Sequence, residues 1–339
     1  MPKVSTVIPL YNKAPHIQRA LESVLIQTYQ DVEVVVIDDG STDGGAEIVK
    51  SISDSRIRLI QQKNAGVSVA RNRGIQEAQA GLIAFLDADD AWKPKFLETI
   101  LRLRNRFPEA GIYATAYEFH EPNGKTVQPR YKAIPPAPWE GLIPNYFRAS
   151  LGIPPVWSSA VAVPRRIFKE AGYFPAGERL GEDGDMWLRI AVKYPVAFSW
   201  QIGATYFRNA SNRACNKYLM QSEYRLVKTA KELIRKNEVP AFMLPDLQEY
   251  IAMYVLLAAA QCVLAGKPQK ARQMLEDCTT KCFCTQKLWW RFWASIPVPI
   301  THFAWNVKRT LFKSIPKTIE GRITIGRLTN FLAALFVLQ

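Results

Sequence analysis

The sequence predicts an α/β fold in which a mostly parallel β-sheet is flanked by helices and followed by a helical C-terminal region. Short β-branched apolar segments alternate with segments of helical period over residues 1–210, which is typical of βαβ units. Beyond residue 210 the apolar positions follow helical periods. The 339 residues are 48% hydrophobic and 22% charged, which excludes a disordered chain and a protein with many membrane spans.

The first βα unit opens the alternation. Residues 4–10 form a β-branched apolar run, as expected of a buried strand. The helix after it places Ile17, Leu21 and Val24 on one face, and Asn12 is its predicted N-cap. The alternation continues with strands over 32–37, 57–61 and 82–86 and with helices over about 45–52 and 67–79.

The elements that follow are less regular. We expect a helix over 93–106, strands over 111–119, 160–163 and 196–201, a helix after 181–185, and helices over 218–235, 248–265 and 268–277. Segment 121–157 is rich in Pro, Gly and aromatic residues, which predicts a loop region beside a binding site. The apolar segment 251–266 is short and contains Gln261, which favours a buried bundle helix over a membrane span.

Acidic residues follow two of the predicted strands. Asp38 and Asp39 come after the second strand, and Asp87, Asp89 and Asp90 come after the fourth. Ligands of parallel sheets bind beyond the carboxyl ends of the strands, and gathered carboxylates need a cation or hydrogen-bond donors. Turns and helix caps are the plainer explanation of each cluster alone. Together they favour a site for a nucleotide diphosphate with a divalent metal.

A third group of acidic residues lies within 181–185, where it leads into the next predicted helix. Glu182, Asp183 and Asp185 suit the positive end of the helix dipole, but a cap requires only one acid. The glycine-rich motifs of dehydrogenases and P-loop NTPases are missing from the sequence, which argues against both classes.

The C-terminal third carries the basic charge of the chain. Residues 1–100 have a net charge of −2, whereas residues 211–339 have +11 within a total of +14. Segment 281–339 combines nine basic residues with four tryptophans, as at a membrane interface. Protein core, an oligomer contact, nucleic acid and a true membrane span are the alternatives. We divide the chain into an α/β domain over 1–210, a helical extension over 211–280 and this Trp-rich segment.

The expected location is the cytoplasm, peripheral on the cytoplasmic face of a membrane. Five cysteines are too few and too odd in number for a disulfide framework, which indicates a reducing compartment. The first residues lead directly into a strand pattern, without the features of a signal peptide. The anionic membrane surface is therefore the expected partner of segment 281–339, and nucleic acid is not expected.

Four motifs, in order, resemble those of the family-2 glycosyltransferases of the GT-A fold. They are VSTVIPLYNKAPHIQRALESVLIQTYQDVEVVVIDDGSTDGG, NAGVSVARNRG, AFLDADD and GEDGDMWLRIA. The resemblance covers about residues 3–205 and leaves the C-terminal third uncovered. It implies a GT-A catalytic domain that transfers a sugar from a nucleotide diphosphate with inversion. Residues 221–225 lack the motif of processive synthases, so addition of a single sugar is favoured.

The resemblance also implies roles for individual residues. Tyr11 stacks on the base and Asp39 accepts from a base N–H, which favours UDP and leaves guanine and deoxythymidine open. Mn²⁺ or Mg²⁺ is the implied cofactor, with Asp89 and Asp90 as ligands, although the residues alone do not decide among the acids of this motif. The implied nucleotide-binding residues are Pro9, Tyr11, Asp39, Arg71, Asp87 and Ala88.

The implied chemistry is a single displacement at the anomeric carbon. Asp183 is the general base that takes the proton of an acceptor hydroxyl, with Glu182 beside it. Trp157, Ser158 and Glu182 are the candidates for contact with the acceptor or the donor sugar, the first two by location alone. The expected acceptor is a saccharide or a lipid-linked saccharide of the cell envelope. A non-catalytic sugar- or membrane-binding relative and a nucleotidyltransferase are the alternatives.

Overall fold

The computed structural model describes residues 2–178, 180–212 and 223–299. The strands are β1 (Val4–Leu10), β2 (Val32–Asp38), β3 (Ile57–Gln61), β4 (Leu82–Phe85), β5 (Ala91–Trp92), β6 (Ile112–His120), β7 (Thr126–Val127), β8 (Glu140–Leu142), β9 (Val161–Pro164) and β10 (Val196–Phe207). The helices are α1 (Ala14–Leu25), α2 (Gly45–Ser51), α3 (Val67–Glu77), α4 (Phe96–Arg106), α5 (Tyr146–Ala149), α6 (Arg165–Ala171), α7 (Glu182–Lys193), α8 (Arg225–Arg235), α9 (Leu244–Leu264), α10 (Pro268–Glu276) and α11 (Cys284–Ser295).

One sheet of ten strands runs through the α/β domain, with the order β3-β2-β1-β4-β9-β6-β10-β5 and with β7 and β8 paired to β6 and β10. The pairs β3-β2, β2-β1, β1-β4 and β6-β10 are parallel. Strand β9 is antiparallel to both β4 and β6. The predicted fold class is confirmed, but the sheet is mixed rather than mostly parallel. The sequence pattern missed this because β9 is reached through the irregular 121–157 segment rather than through a crossover helix.

Both faces of the central strands are buried, which explains their continuous apolar runs. In β4, Ile83 and Phe85 face one core cluster, whereas Leu82 and Ala84 face the other. This alternation follows from the two-residue period of a strand. The long apolar runs near the start of the chain therefore mark the middle layer of the domain.

The start of α1 differs from the prediction. Asn12 is not the N-cap, because Lys13 occupies that position without a side-chain cap. Asn12 instead has a positive φ of 51°, and its Oδ1 accepts from the backbone N–H of Thr42 at 2.8 Å. The carboxylate of Asp43 accepts from the N–H of Ala14 at 2.8 Å and so satisfies the first helical donor. The cap is supplied by the loop after β2, which spacing within α1 could not reveal.

The C-terminal helices form a bundle beside the sheet. Residues 241–264 include a helix long and apolar enough to cross a membrane, and 67% of its most apolar window is buried inside the protein. Leu256 and Ala259 of α9 pack in one cluster with Leu275 of α10 and Trp290 of α11. The expectation of a bundle helix agrees with this burial. The parts of the predicted elements over 218–222 and 300–339 lie outside the described residues.

A buried carboxylate fixes the loop between α10 and α11. Glu249 of α9 accepts from the Thr280 hydroxyl at 2.5 Å, from the Lys281 N–H at 2.6 Å and from the Cys282 N–H at 3.1 Å. Burial raises the pKa of Glu249, but these donors outweigh it, so the net direction is downward. The carboxylate thus ties the aromatic helix α11 to the bundle.

The contact between α3 and β1 predicts a stability effect. A Cβ at Gly74 would lie 2.3 Å from Cγ1 of Val7, a buried side chain in the middle strand. We expect Gly74→Ala to lower the free energy of unfolding by about 1–3 kcal/mol through overpacking, measured by urea denaturation. Gly81→Ala is the matched control, because no atom lies within 4 Å of its Cβ position. Equal stability of the two variants would contradict this packing.

Candidate active site

The acidic loops meet at one edge of the sheet. Strands β1, β2 and β4 are parallel neighbours, so the loop with Asp38 and Asp39 and the loop with Asp87 and Asp89 leave the sheet on the same side. Strand β9 runs antiparallel to β4 and pairs Val161 with Phe85, which brings the segment just before β9 to this edge as well. The acidic edge is defined here as these loops together with the start of α7.

Arg71 connects the acidic loops inside the protein. Its side chain is only 4% exposed, and its two terminal nitrogens donate to Asp87 Oδ1 and to Glu182 Oε1, both at 2.8 Å. Burial lowers the pKa of Arg71, but the carboxylates of Asp87 and Glu182 raise it by more than burial lowers it. The net direction is upward, so the guanidinium stays charged. This geometry favours a positioning role for Arg71 over the predicted contact with the nucleotide.

Asp39 is held by the loop after β3. Its Oδ1 accepts from Gln62 Nε2 at 2.7 Å and from the Ala65 N–H at 2.9 Å, and its Oδ2 accepts from Asn64 Nδ2 at 3.2 Å and from the Gly66 N–H at 2.8 Å. A carboxylate offers about four acceptor positions, and these four donors fill them. A base N–H would have to replace one of them, most readily an amide side chain.

Asp90 is buried and bound on both oxygens. Its Oδ2 accepts from the Ser159 hydroxyl at 2.7 Å, and its Oδ1 accepts from the Phe207 N–H at 3.2 Å. Burial raises the pKa of Asp90 well above its ordinary value, and Asp89 and Asp87 raise it further. Because the residue is 1% exposed, this environment favours a structural tie between the β4 loop and β10 over the predicted metal ligand.

Asp89 has a cationic neighbour. Its Oδ2 lies 2.6 Å from Nζ of Lys13, and its carbonyl accepts from Arg19 at 2.5 Å. In residues 2–178, 180–212 and 223–299, no three His, Cys, Asp or Glu side chains group closely enough to hold a metal ion together. A divalent cation would therefore take one carboxylate here and complete its shell with phosphate oxygens and water, as Mg²⁺ commonly does.

The Asp89 environment fits such an ion. The carboxylate is a hard oxygen ligand of the kind that Mn²⁺ and Mg²⁺ prefer. The position beside Oδ2 already accommodates a positive group, and the side chain is 14% exposed. Asp89 is the residue of the motif that would hold the cation.

Asp183 lies at the start of α7, beside the end of β4. Its Oδ2 accepts from the Ser158 hydroxyl at 3.2 Å, and its Oδ1 accepts from the Gly184 N–H at 2.7 Å. The neighbouring Glu182 is buried, and burial together with the charge of Asp183 raises its pKa to about 7, against the lowering effect of Arg71. Asp183 is the more accessible carboxylate of the two and can receive a proton.

The other predicted residues lie at or near this edge. Pro9 is buried within β1, whereas Tyr11 is 42% exposed and can stack on a planar ring. Ala88 is 2% exposed, so a nucleotide could contact its backbone only. Trp157 packs with ring centroids 4.9 Å from those of Tyr117 and Tyr206, which joins it to an aromatic wall. The roles predicted for these residues stay predictions.

The helical extension reaches the site, which the sequence pattern did not predict. A Cβ at Gly184 would lie 3.7 Å from the Tyr254 hydroxyl and 3.8 Å from the Tyr250 hydroxyl, both on α9. The hydroxyl of Thr229 on α8 donates to Asp185 at 2.5 Å. Asp185 thus ties α7 to the extension. Pairs this far apart in the chain leave no local pattern in the sequence.

Comparison with solved structures defines the class of fold. TarS residues 1–349 of S. aureus in complex with UDP-GlcNAc superposes with a TM-score of 0.59 at 16% identity, over 80% of this chain and 88% of that one. The mannosyltransferase PcManGT of Pyrobaculum calidifontis in complex with GDP-Man and Mn²⁺ gives 0.55 at 18% identity, over 90% and 87%. The fold is that of the GT-A transferases.

Sequence comparison adds the family. Residues 5–170 match the profile of glycosyl transferase family 2, which agrees with the resemblance of the four sequence motifs. An uncharacterized glycosyltransferase of Rickettsia felis is 35% identical over 198 residues, and GlyA of Streptococcus pneumoniae is 36% identical over 124 residues. These alignments cover 57% and 36% of this chain but only 31% and 18% of the relatives. The profile ends before Glu182, so the start of α7 lies outside it.

The raised pKa of Glu182 predicts a pH-dependent stability. The folded protein holds this proton with a pKa of about 7, against an ordinary value of 4.5, so its contribution is complete at low pH. Between about pH 4.5 and 7 the wild-type protein loses up to about 3 kcal/mol of unfolding free energy through this group. In Glu182→Gln this loss is absent, so the variant gains stability relative to wild type as the pH rises.

Urea unfolding at pH 5, 6, 7 and 8 measures this difference. Glu140→Gln is the matched control, because Arg102 and Ser199 outweigh the effect of burial and lower the pKa of Glu140. The difference in unfolding free energy between Glu140→Gln and wild type is expected to stay constant from pH 5 to pH 8. A flat Glu182→Gln curve would show that Glu182 is ionised throughout.

Proposed function

We propose that the chain is an inverting glycosyltransferase that moves one sugar from a nucleotide diphosphate to an acceptor hydroxyl. The observation that carries this proposal is the buried Arg71, which ties Asp87 of the loop after β4 to Glu182, the neighbour of Asp183 at the start of α7. A donor diphosphate bound at Asp89 and an acceptor hydroxyl at Asp183 would then be held in a fixed relative position. Fixed positions of the reacting groups are a large part of catalysis.

Asp183 is the proposed general base. Its carboxylate would take the proton of the acceptor hydroxyl while that oxygen forms a bond to the anomeric carbon and the bond to the diphosphate breaks. The Ser158 hydroxyl, 3.2 Å from Oδ2, orients the carboxylate. Attack opposite the leaving group inverts the configuration at that carbon. This displacement requires one accessible carboxylate as the base, whereas glycoside hydrolases use two carboxyl groups that flank the scissile bond.

Asp89 is the proposed holder of Mn²⁺ or Mg²⁺. When bound, the ion would neutralise charge that develops on the leaving diphosphate. The Mn²⁺ in the complex of PcManGT supports this assignment by likeness of fold. The chain's own part is to present one hard oxygen ligand at the acidic edge, with the carbonyl of Asp89 fixed by Arg19.

UDP is the proposed nucleotide, because a carboxylate such as Asp39 can accept from the N3–H of uracil. The UDP-GlcNAc of the TarS complex supports UDP, whereas the GDP-Man of PcManGT keeps guanine as the competing base. Tyr11, exposed at the end of β1, is the proposed stacking partner of the base.

A thermal-shift panel separates these nucleotides. UDP, GDP, dTDP and their sugars are added with Mn²⁺ or with EDTA, since a ligand that binds the folded state raises the melting temperature. We expect the largest shift with a UDP-sugar and Mn²⁺. A larger shift with GDP would reassign the base, and the absence of any shift would favour the non-catalytic alternative. Pyrophosphate release from a nucleoside triphosphate and a sugar phosphate would indicate a nucleotidyltransferase.

The general base is tested by Asp183→Asn. We expect transfer to fall by at least about 100-fold, because an amide cannot take the proton, while the UDP-induced thermal shift stays near that of wild type. Glu178→Gln is the control, an acid that precedes α7 and pairs only loosely with Arg225 at 3.8 Å. Transfer at the wild-type rate in Asp183→Asn would remove the base role.

The acceptor is proposed to be a lipid-linked or envelope saccharide, reached at the cytoplasmic face of a membrane. Two apolar side chains on one face of α11 support this, because Leu288 is 65% exposed and Phe292 is 56% exposed. Arg291 is also exposed on this helix, and residues 281–339 carry a large positive excess. Apolar and basic groups together suit an anionic membrane surface.

Vesicle binding tests this docking face. We expect Leu288→Asp with Phe292→Asp to weaken sedimentation with vesicles of 30% phosphatidylserine by about tenfold, because two apolar anchors are lost and negative charge is added. Ile26→Asp is the control, since Ile26 is 63% exposed at the end of α1. Unchanged vesicle binding by the double variant would show that Leu288 and Phe292 do not form the membrane contact.

A further inference from the structure

The two carboxylates of the β4 motif each have a counterion of their own. Asp87 pairs with Arg71 at 2.8 Å, and Asp89 pairs with Lys13 at 2.6 Å. The two cations differ in freedom. Arg71 is 4% exposed and is also held by Glu182, whereas the Lys13 side chain is 13% exposed and its stem has four rotatable carbons. Lys13 is therefore the counterion that can move.

The backbone of Lys13 is fixed by the start of α1. Its carbonyl accepts from the N–H groups of His16 at 2.9 Å and Ile17 at 3.0 Å, as the first acceptor of the helix. From this root the ammonium reaches Asp89 Oδ2 at 2.6 Å and the carbonyl of Ser211 at 2.8 Å. Its position thus depends on the β4 loop and on the segment after β10, both at the acidic edge.

We propose that Lys13 is a diphosphate-binding residue that competes with a divalent cation for Asp89. This inference rests on the proposed function and deepens it. A cation bound at Asp89 would lie close to the ammonium of Lys13, and repulsion between the two positive charges favours movement of the ammonium to another anion. The nearest new anion is the donor diphosphate at the same edge. The ammonium then donates to a phosphate oxygen in place of the carboxylate.

This exchange couples the two ligands. In the free protein, Lys13 opposes cation binding at Asp89, so the cation binds weakly alone. A diphosphate gives Lys13 a second partner, so each ligand strengthens the binding of the other. Lys13 also supplies positive charge to the diphosphate when no divalent cation is present. Nucleotide binding in EDTA therefore depends on this side chain.

Three variants separate these effects. Lys13→Met removes the charge and keeps the length of the stem, and Lys13→Arg keeps the charge. Lys236→Met is the matched control, because Lys236 likewise pairs with a carboxylate, that of Glu232 on α8 at 2.8 Å. Lys13→Gln is a second neutral variant should Lys13→Met not melt cooperatively.

Binding of Mn²⁺ alone, followed by electron paramagnetic resonance, is the first measurement. We expect the neutral variants to bind Mn²⁺ at least about tenfold more tightly than wild type, because the competing charge is gone. Lys13→Arg and Lys236→Met stay within about twofold of wild type. Equal Mn²⁺ affinity in wild type and both neutral variants overturns the competition at Asp89.

Binding of UDP in EDTA is the second measurement, by isothermal titration. We expect the neutral variants to bind UDP about tenfold more weakly than wild type and Lys13→Arg to bind nearly as well. Unchanged UDP affinity overturns the contact with phosphate. A wild-type protein that binds no nucleotide with or without Mn²⁺ counts against the proposed function, whereas the Mn²⁺ titration still decides the role of Lys13 at Asp89.

Discussion

The ion pairs of Arg71 are the constraint on which the acidic edge depends. A buried guanidinium costs several kcal/mol in lost hydration, and only well-placed carboxylates offset that cost. Asp87 of the loop after β4 supplies one carboxylate, and an oxygen of Glu182 of α7 accepts from the other terminal nitrogen, at 2.8 Å each. Neither segment can shift without leaving a buried nitrogen of Arg71 without its acceptor. The three segments therefore hold one geometry although they lie far apart in the chain.

Much of the fold could be predicted from the sequence because the central strands are buried on both faces. Continuous apolar runs and the helices between them fixed the places of β1 to β4 closely, and parallel pairing then brought the acidic loops to one edge. The antiparallel insertion of β9 could not be predicted. Its pairing is decided by which strands need partners after the irregular segment 121–157, which is a property of the whole sheet.

The meeting of the acidic loops at one edge could be predicted from the sequence, whereas the roles of the individual residues stay predictions. A motif marks where a carboxylate lies, whereas its role depends on the donors that surround it. Asp39 meets four donors and Asp90 meets two, of which one comes from the segment just before β9 and the other from β10. Lys13 was missed for the same reason, because nothing in the spacing of α1 indicates that its ammonium reaches Asp89. Such contacts depend on tertiary packing.

The tie made by Glu249 bears on how the protein can be divided. Its carboxylate is buried and takes its donors from Thr280, Lys281 and Cys282, which lie just before the aromatic helix. A shortened chain that ends before these residues would leave the carboxylate of Glu249 buried in the bundle without its hydrogen-bond donors. Cutting after Ser295 keeps all three donors, and an earlier cut calls for a glutamine or an apolar residue in place of Glu249. The natural breakpoint for engineering lies beyond α11.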